Sequence, residues 1–225
     1  ATAVVLGPYF VDMPYRPKES LRSGHAVCAL VVGWNTAFAA CTHTTRPVLF
    51  RMWRFVAVVS IFQVIPDWVL TDVLGTLTFP DDGAWKVGGA VSVYMAGMWS
   101  IPLLWILACF PSPASHAEPH ELIAAAVAAL ATFGAAEELT VPLRLWVATD
   151  RVTYMIHNIA VYVLPAEAAL GAATLYAYRT TSATSGWKGA ARRVLAAALV
   201  ALLYTGVLAV AYLFIEGGSY CANVR

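Results

Sequence analysis

The chain has 225 residues, 60% of them hydrophobic and 12% charged, where an ordinary soluble domain is about 45–50% apolar and about 25% charged. Mean hydropathy is +0.69, and 14 Lys+Arg stand against 13 Asp+Glu. These figures exclude a disordered chain and a nucleic-acid binder that works by neutralising phosphates, and they leave an integral membrane protein.

In chain order, residues 1–23 hold prolines, acids and bases where a signal peptide would hold an apolar core. They read as an extramembrane N-terminal arm. A start at Ala1 is what a removed initiator methionine, a cleaved targeting peptide or a truncated sequence would each leave, and the second of these would point toward an organelle. Residues 24–216 then read as an all-α polytopic transmembrane helix bundle, followed by a short tail at 217–225. A spanning helix needs about 20 mostly apolar residues. Six stretches meet that requirement, at 24–41, 48–74, 87–110, a fourth after Pro119 carrying 123–136, 152–178 and 194–215. Trp53, Trp85, Trp146, Trp187 and Tyr178 fall near span ends as interfacial anchors, whereas Trp34, Trp68, Trp99 and Trp105 fall deeper. With six spans the Lys/Arg residues divide seven against seven between the two sides, so the positive-inside rule gives no orientation.

Ionisable groups inside spans are costly and mark functional candidates. The second span contains Gln63 and Asp67, four apart on one helix face, with Pro66 freeing a backbone carbonyl beside them. The fourth ends in Glu137-Glu138, which point about 100° apart. Either acid could pair with Arg144 or Arg151, or act as a proton donor in an apolar pocket. The fifth carries His157, Asn158 and Glu167 within one apolar stretch. On a continuous helix His157 and Glu167 lie about 80° apart, lining one wedge of a cavity. His157, Asn158 and Gln63 each offer a lone pair to a bound cofactor such as the magnesium of a chlorophyll. The run His116-Ala117-Glu118-Pro119-His120-Glu121 lacks the order of a zinc-protease helix and reads as a solvated loop. No metal site is expected. The four cysteines contain no Cys-x-x-Cys pair and read as apolar fillers or a surface thiol.

Two resemblances add to this. Leu164-Pro165-Ala166-Glu167 resembles the Leu-Pro-x-Glu element of membrane-embedded lycopene and carotenoid cyclases. That family has a second Glu where this chain has Ala168. The resemblance implies an isoprenoid substrate and acids that protonate a double bond, with Glu167 and Asp67 or Glu137 in those roles. The strings Gln63 to Asp72, Phe79-Pro80-Asp81-Asp82-Gly83 and Val91 to Pro102 resemble uncharacterised multi-pass proteins of plastids and cyanobacteria, which implies a photosynthetic membrane.

Two readings follow. The first, preferred on composition, is a non-catalytic accessory subunit of a photosynthetic thylakoid complex, docked among other subunits and membrane lipids. In it His157, Asn158 and Gln63 hold chlorophyll or carotenoid. The second is a membrane-embedded isoprenoid or carotenoid cyclase or hydratase. It requires Asp67, Glu137 or Glu138, and Glu167 to border one closed apolar pocket.

Overall fold

A computed structural model describes residues 23–111, 116–182 and 186–217. The expected arm and tail, and Cys221, lie almost wholly outside the described residues. The first helix, α1 (Ser23–Thr45), meets α2 (Pro47–Phe62) across Arg46 alone, whose non-helical backbone (φ −139°, ψ 67°) breaks the helix. Pro47 suits the first turn of α2, because the N–H it lacks would have had no intrahelical partner there. At Gln63 the ladder breaks and restarts as α3 (Val64–Trp68), which loosens into a π-helical turn at Val69–Val73. Pro66 explains the break, since it has no N–H to return to the carbonyl four residues back.

Short helices α4 (Met95–Met98) and α5 (Ser100–Ala108) follow, and then α6 (Pro119–Thr140). The start of α6 is fixed by a capping box, in which the Glu118 carboxylate takes the Glu121 N–H and Glu121 Oε2 takes the Glu118 N–H at 3.0 Å. That accounts for two acids of the run that reads as a solvated loop. The last two helices are α7 (Leu164–Ser182) and α8 (Gly186–Ile215).

The helical membrane class expected from composition is present. Four stretches are long and apolar enough to cross a bilayer among the described residues: Ser23–Thr45, Pro47–Val73, Pro119–Leu143 and Gly186–Ile215. The other two differ from the expected spans. Residues 86–92 form a hairpin of β2 (Lys86–Val87) and β3 (Val91–Ser92), so the third apolar helix runs only over Met95–Ala108. Gly88 and Gly89 turn that hairpin with positive φ. Residues 152–163 are not helical as expected either. They hold the hairpin β5 (Met155–Ile156) and β6 (Ile159–Ala160) and one 3-10 turn, and α7 starts only at Leu164. Two isoleucines and three valines make this stretch good strand sequence, and periodicity alone does not distinguish such a run from helix.

The connections gather at one end of the bundle into a cap. β1 (Leu77–Thr78) pairs antiparallel with β4 (Val147–Ala148), joining the segment after α3 to the segment after α6. Thr149 donates its hydroxyl to the Gly75 carbonyl at 2.7 Å, and Arg151 Nη1 donates to the Leu74 carbonyl at 2.8 Å. Gly75 has φ +65°, and a Cβ there would stand 2.8 Å from Arg151 Nη1, so the latch needs glycine. Gly24 N–H bonds the Asp82 carbonyl at 2.9 Å, bringing the start of α1 to the same end. Lys86 Nζ binds the Pro80 carbonyl and Ser92 Oγ at 2.8 and 2.7 Å. Partial burial holds its amine below the usual lysine range, opposed by the nearby Asp82 and Asp81 charges.

Within the bundle, polar groups join helices where apolar surface gives no net drive in lipid. Asn35 Oδ1 accepts from Trp53 Nε1 at 2.9 Å and from Ser100 Oγ at 2.8 Å, tying α1, α2 and α5 together. Trp53 is therefore a packing element, not an anchor, and so is Tyr178, buried against Phe55, whereas Trp85 and Trp187 are largely exposed, as anchors should be. At the end opposite the cap, buried Arg179 pairs with Glu121 Oε1 at 3.0 Å and reaches the Phe110 carbonyl, linking α7 to α6. Helices α6 and α7 pack closely at Gly171, where a Cβ would lie 2.5 Å from both the Ala125 carbonyl oxygen and Ala129 Cβ. Gly171→Ala is expected to cost about 1–3 kcal/mol by overpacking, read as a lower unfolding temperature in detergent. Gly206→Ala, with open space around it, is expected to leave that temperature unchanged or raise it.

Candidate functional site

Between the helix ends and the cap lies a cavity of about 780 Å³, walled by α3, α4, α5, α6, α7, α8 and the cap strands. It is within the range that encloses a drug-sized molecule, about 300–1,000 Å³. Most of its wall is apolar: Leu70, Phe79, Met95, Met98, Ile101 and Phe133 among others. Asp67, Glu137 and Glu167 all border it. They come from three helices and are 70 and 30 residues apart along the chain. Glu137 is close enough to act electrostatically on both Asp67 and Glu167.

Each acid is held differently. Asp67, nearly fully buried, accepts the Trp99 indole N–H at 3.0 Å on Oδ2. Glu137 accepts the Trp146 indole N–H at 2.9 Å on Oε2. Trp146 is thus part of the site, not an interfacial anchor. Glu167 is 3% exposed, and its Oε2 has no hydrogen-bond partner among the described residues. None of the three is in an ion pair among the described residues. The pairings of Glu137 or Glu138 with Arg144 or Arg151 do not occur, because Trp146 takes Glu137, Asn158 takes Glu138 and Arg151 is latched to Leu74.

An aromatic wall stands against the acids. The Trp99 ring lies 5.2 Å from Phe133 and 5.9 Å from Tyr204 between centroids. Tyr204, 2% exposed, lines the cavity and feels the charges of Glu167, Asp67 and Glu137. Tyr162 lines it from the cap and donates its hydroxyl to Thr76 Oγ1 at 2.8 Å. Burial pushes the Tyr162 hydroxyl well above its ordinary pKa. Ile101, Pro102 and Trp105 carry the wall along α5. Trp105 is 64% exposed.

The three cofactor-binding candidates are not brought together. His157 and Asn158 occupy the two-residue turn of the β5–β6 hairpin, with His157 at φ +54°. That is a short-loop hairpin conformation, and it removes the shared helix on which His157 and Glu167 would have lined one wedge. His157 is exposed. Asn158 reaches the cavity rim, but its Nδ2 and backbone N–H bond the two Glu138 oxygens at 2.9 and 3.2 Å. Gln63 is fully buried outside the cavity wall, and neither of its amide atoms has a partner among the described residues. Among the described residues no group of three metal-ligating side chains occurs.

Sequence reasoning missed Trp99, Trp146, Tyr204 and Glu216. Glu216, 3% exposed, accepts the Thr153 and Tyr154 N–H groups at 2.9 and 3.1 Å, fixing the cap hairpin to the end of α8. The only local signals were two tryptophans and a tyrosine in apolar stretches, and a terminal acid. The Trp99 and Glu216 hydrogen bonds cross 32 to 63 residues, whereas Trp146 reaches Glu137 only nine residues back, around the end of α6.

This is a helical, membrane-embedded protein with a carboxylate-lined apolar cavity beneath a stranded cap. Residues 64–215 match the family described as Domain of unknown function (DUF6989), and the chain belongs to that family. The matched span contains every residue of the cavity wall. No curated protein and no solved structure matches the chain.

The Glu138–Asn158 contact makes a local test. Glu138→Ala is expected to loosen the β5–β6 turn, read as faster amide hydrogen exchange over residues 153–160. Exchange along α8 should be unchanged, because the contact does not touch it.

Proposed function

We propose that the protein is a membrane-embedded enzyme that carries out acid-catalysed cyclisation, or hydration, of an isoprenoid-class substrate. The observation that carries this reading is the convergence of Asp67, Glu137 and Glu167 on one mostly apolar cavity. The pigment-subunit reading relied on His157, Asn158 and Gln63, which are dispersed, so fewer observations support it.

The chemistry follows from the wall. One carboxylic acid gives its proton to a carbon–carbon double bond, leaving a carbocation and a carboxylate. The double bond's electron pair forms the new C–H bond, and a second double bond attacks the cation to close a ring. A neighbouring carboxylate then removes a proton from the adjacent carbon, so the enzyme ends with the proton count it began with. Glu167 suits the donor role, because it borders the cavity and is in no ion pair among the described residues. Asp67 and Glu137, each fixed by an indole N–H, suit the base and the charge-stabilising roles. The faces of Trp99, Phe133 and Tyr204 stabilise positive charge through their ring quadrupoles. The second Glu of the cyclase element, replaced here by Ala168, has its counterpart in Asp67 or Glu137 on other helices. Trp105, which lines the cavity and is largely exposed, marks where a substrate dissolved in lipid would enter.

The test is turnover of lycopene and of shorter linear isoprenoids by the protein in lipid nanodiscs, with products separated by chromatography and mass. Glu167→Gln is expected to lower turnover by about 10²–10⁴-fold, the usual contribution of a positioned acid, with Asp67→Asn and Glu137→Gln also impaired. Retained turnover in Glu167→Gln would remove Glu167 as donor. Bound chlorophyll or carotenoid absorbance in the native protein, with larger subunits copurifying and no turnover, would favour the accessory subunit of a photosynthetic membrane instead.

A further inference from the structure

Among the described residues Arg144 is the only basic residue on the cavity wall, where Asp67, Glu137 and Glu167 are the acids. Its place follows from how α6 ends. The helix tightens into a 3-10 turn over Val141–Leu143, and the backbone then turns left-handed at Arg144, with φ 47° and ψ 43°. The Arg144 N–H closes the turn on the Thr140 and Val141 carbonyls at 3.1 and 3.2 Å. Just beyond, Leu145 is buried and its carbonyl accepts the Tyr94 hydroxyl at 3.1 Å, while Trp146 is held by Glu137. The turn is thus fixed on both sides. A left-handed residue after a helix is usually glycine, because a Cβ is crowded in that conformation. The backbone itself therefore gives no reason for an arginine here.

Its surroundings give one. The apolar stretch that contains α6 ends at Leu143, one residue before Arg144, so Arg144 stands at the level of a membrane surface. It is exposed. Val141, Val147 and Met155, which line the same wall, are exposed too. α6 runs toward the cap, so Arg144, seven residues on from Glu137, lies on the outer side of that acid. The acids at the end of α6 do not use it, because Trp146 takes Glu137 and Asn158 takes Glu138. The guanidinium has no hydrogen bond or ion pair among the described residues. Its planar fork matches the paired oxygens of a phosphate or a carboxylate.

We propose that the substrate is an amphiphile, a linear isoprenoid with an anionic phosphate or carboxylate head, which Arg144 binds at the membrane surface while the apolar chain fills the cavity. The isoprenoid chain and the ring closure rest on the acid-catalysis reading, and the anion site at Arg144 does not. An amphiphile in a bilayer already holds its head at this level and its chain at the depth of the spans. Head and acids are kept apart, one outside the cavity and the others on its wall. Protonation of a double bond along the chain, ring closure and loss of a proton leave the bond between head and chain intact. The product of cyclisation therefore keeps the head and has the mass of the substrate. A head fixed at Arg144 also sets which double bond reaches Glu167.

The test uses the full chain in phosphatidylcholine nanodiscs and three labelled ligands that share one chain: geranylgeranyl phosphate, geranylgeranoic acid and the neutral geranylgeraniol. After correction for partition into empty discs, the two anions are expected to bind about 10–100-fold more tightly than the alcohol, the strength of hydrogen bonds to a charged group. Arg144→Gln is expected to remove that preference and leave the affinity for the alcohol unchanged, and Arg144→Lys to keep part of it. Arg144→Gly separates binding from folding. Glycine suits a φ of 47°, so the unfolding temperature is expected to hold or rise while the preference is lost. No preference in the unaltered protein, or one that survives Arg144→Gln, overturns the proposal. Displacement of the labelled anions by phosphatidic acid assigns Arg144 to a membrane lipid and overturns it as well. Chromatography of the products then separates the two readings. An Arg144-dependent preference with no cyclised product from any ligand overturns the enzyme reading and the substrate assignment, while the anion site stands. Cyclised product formed equally from all three, with Arg144→Gln unaltered, overturns the head site and leaves the enzyme reading in place.

Discussion

The structure depends on how a carboxylate is accommodated in an apolar bundle. An ionisable group in hydrocarbon is expensive unless it finds partners, and cations are the obvious ones. This protein makes little use of them. Asp67 and Glu137 are each held by an indole N–H, Glu138 by an asparagine amide, and Glu216 by two backbone N–H groups. Buried Asp82 takes the Ala84 N–H and lies 3.1 Å from the Tyr94 hydroxyl. Neutral donors fix an acid's position without neutralising it. They leave its proton available for chemistry, as an arginine at the same distance would not. The contrast is Glu121, whose partner Arg179 is a cation and whose role is to tie α6 to α7.

The donors also explain why the cap exists. Trp146, Asn158, Thr153 and Tyr154 all belong to the segment between α6 and α7, and all donate to acids at helix ends. The strands of that segment are only two residues long, too short to stand alone. They persist because acids on α6 and α8 hold the hairpin down, and because β4 pairs with β1 from the other side of the cavity. The site and its lid are therefore one construction: the cap is anchored by carboxylates, and one of its tryptophans positions an acid that the cavity needs.

Much of this was legible in the chain. Long apolar runs mark α1, α2, α6 and α8, and the rarity of acids in such runs singled out Asp67, Glu137 and Glu167 before any geometry. Their convergence could not be read from local sequence, because it depends on helix packing across separations of tens of residues. Trp99 read only as one of the deeper tryptophans and Tyr204 drew no reading, for the same reason: indole and phenol groups in apolar stretches are equally consistent with core and with site. His157 and Asn158 were misplaced because Ile-Ala-Val-Tyr-Val after them reads as span. The backbone turns there on a left-handed His157, stabilised by Glu138 some twenty residues earlier.

That misplacement and the site have one cause. An apolar run can be satisfied in this setting by crossing the bundle or by covering it, and composition does not distinguish the two. Runs 87–110 and 152–178 each do both. Their first parts fold as hairpins, and their second parts descend as the shorter helices over Met95–Ala108 and Leu164–Ser182. Two helices that begin late leave a recess at one end, flanked by the full-length helices α6 and α8 and roofed by the hairpins. Glu167 lies in the first turn of α7, and Trp99 lies between α4 and α5. Each short helix therefore brings a polar group to the recess at the point where it begins. Had either run been helical throughout, those turns of helix would fill the space that Asp67, Glu137 and Glu167 now share.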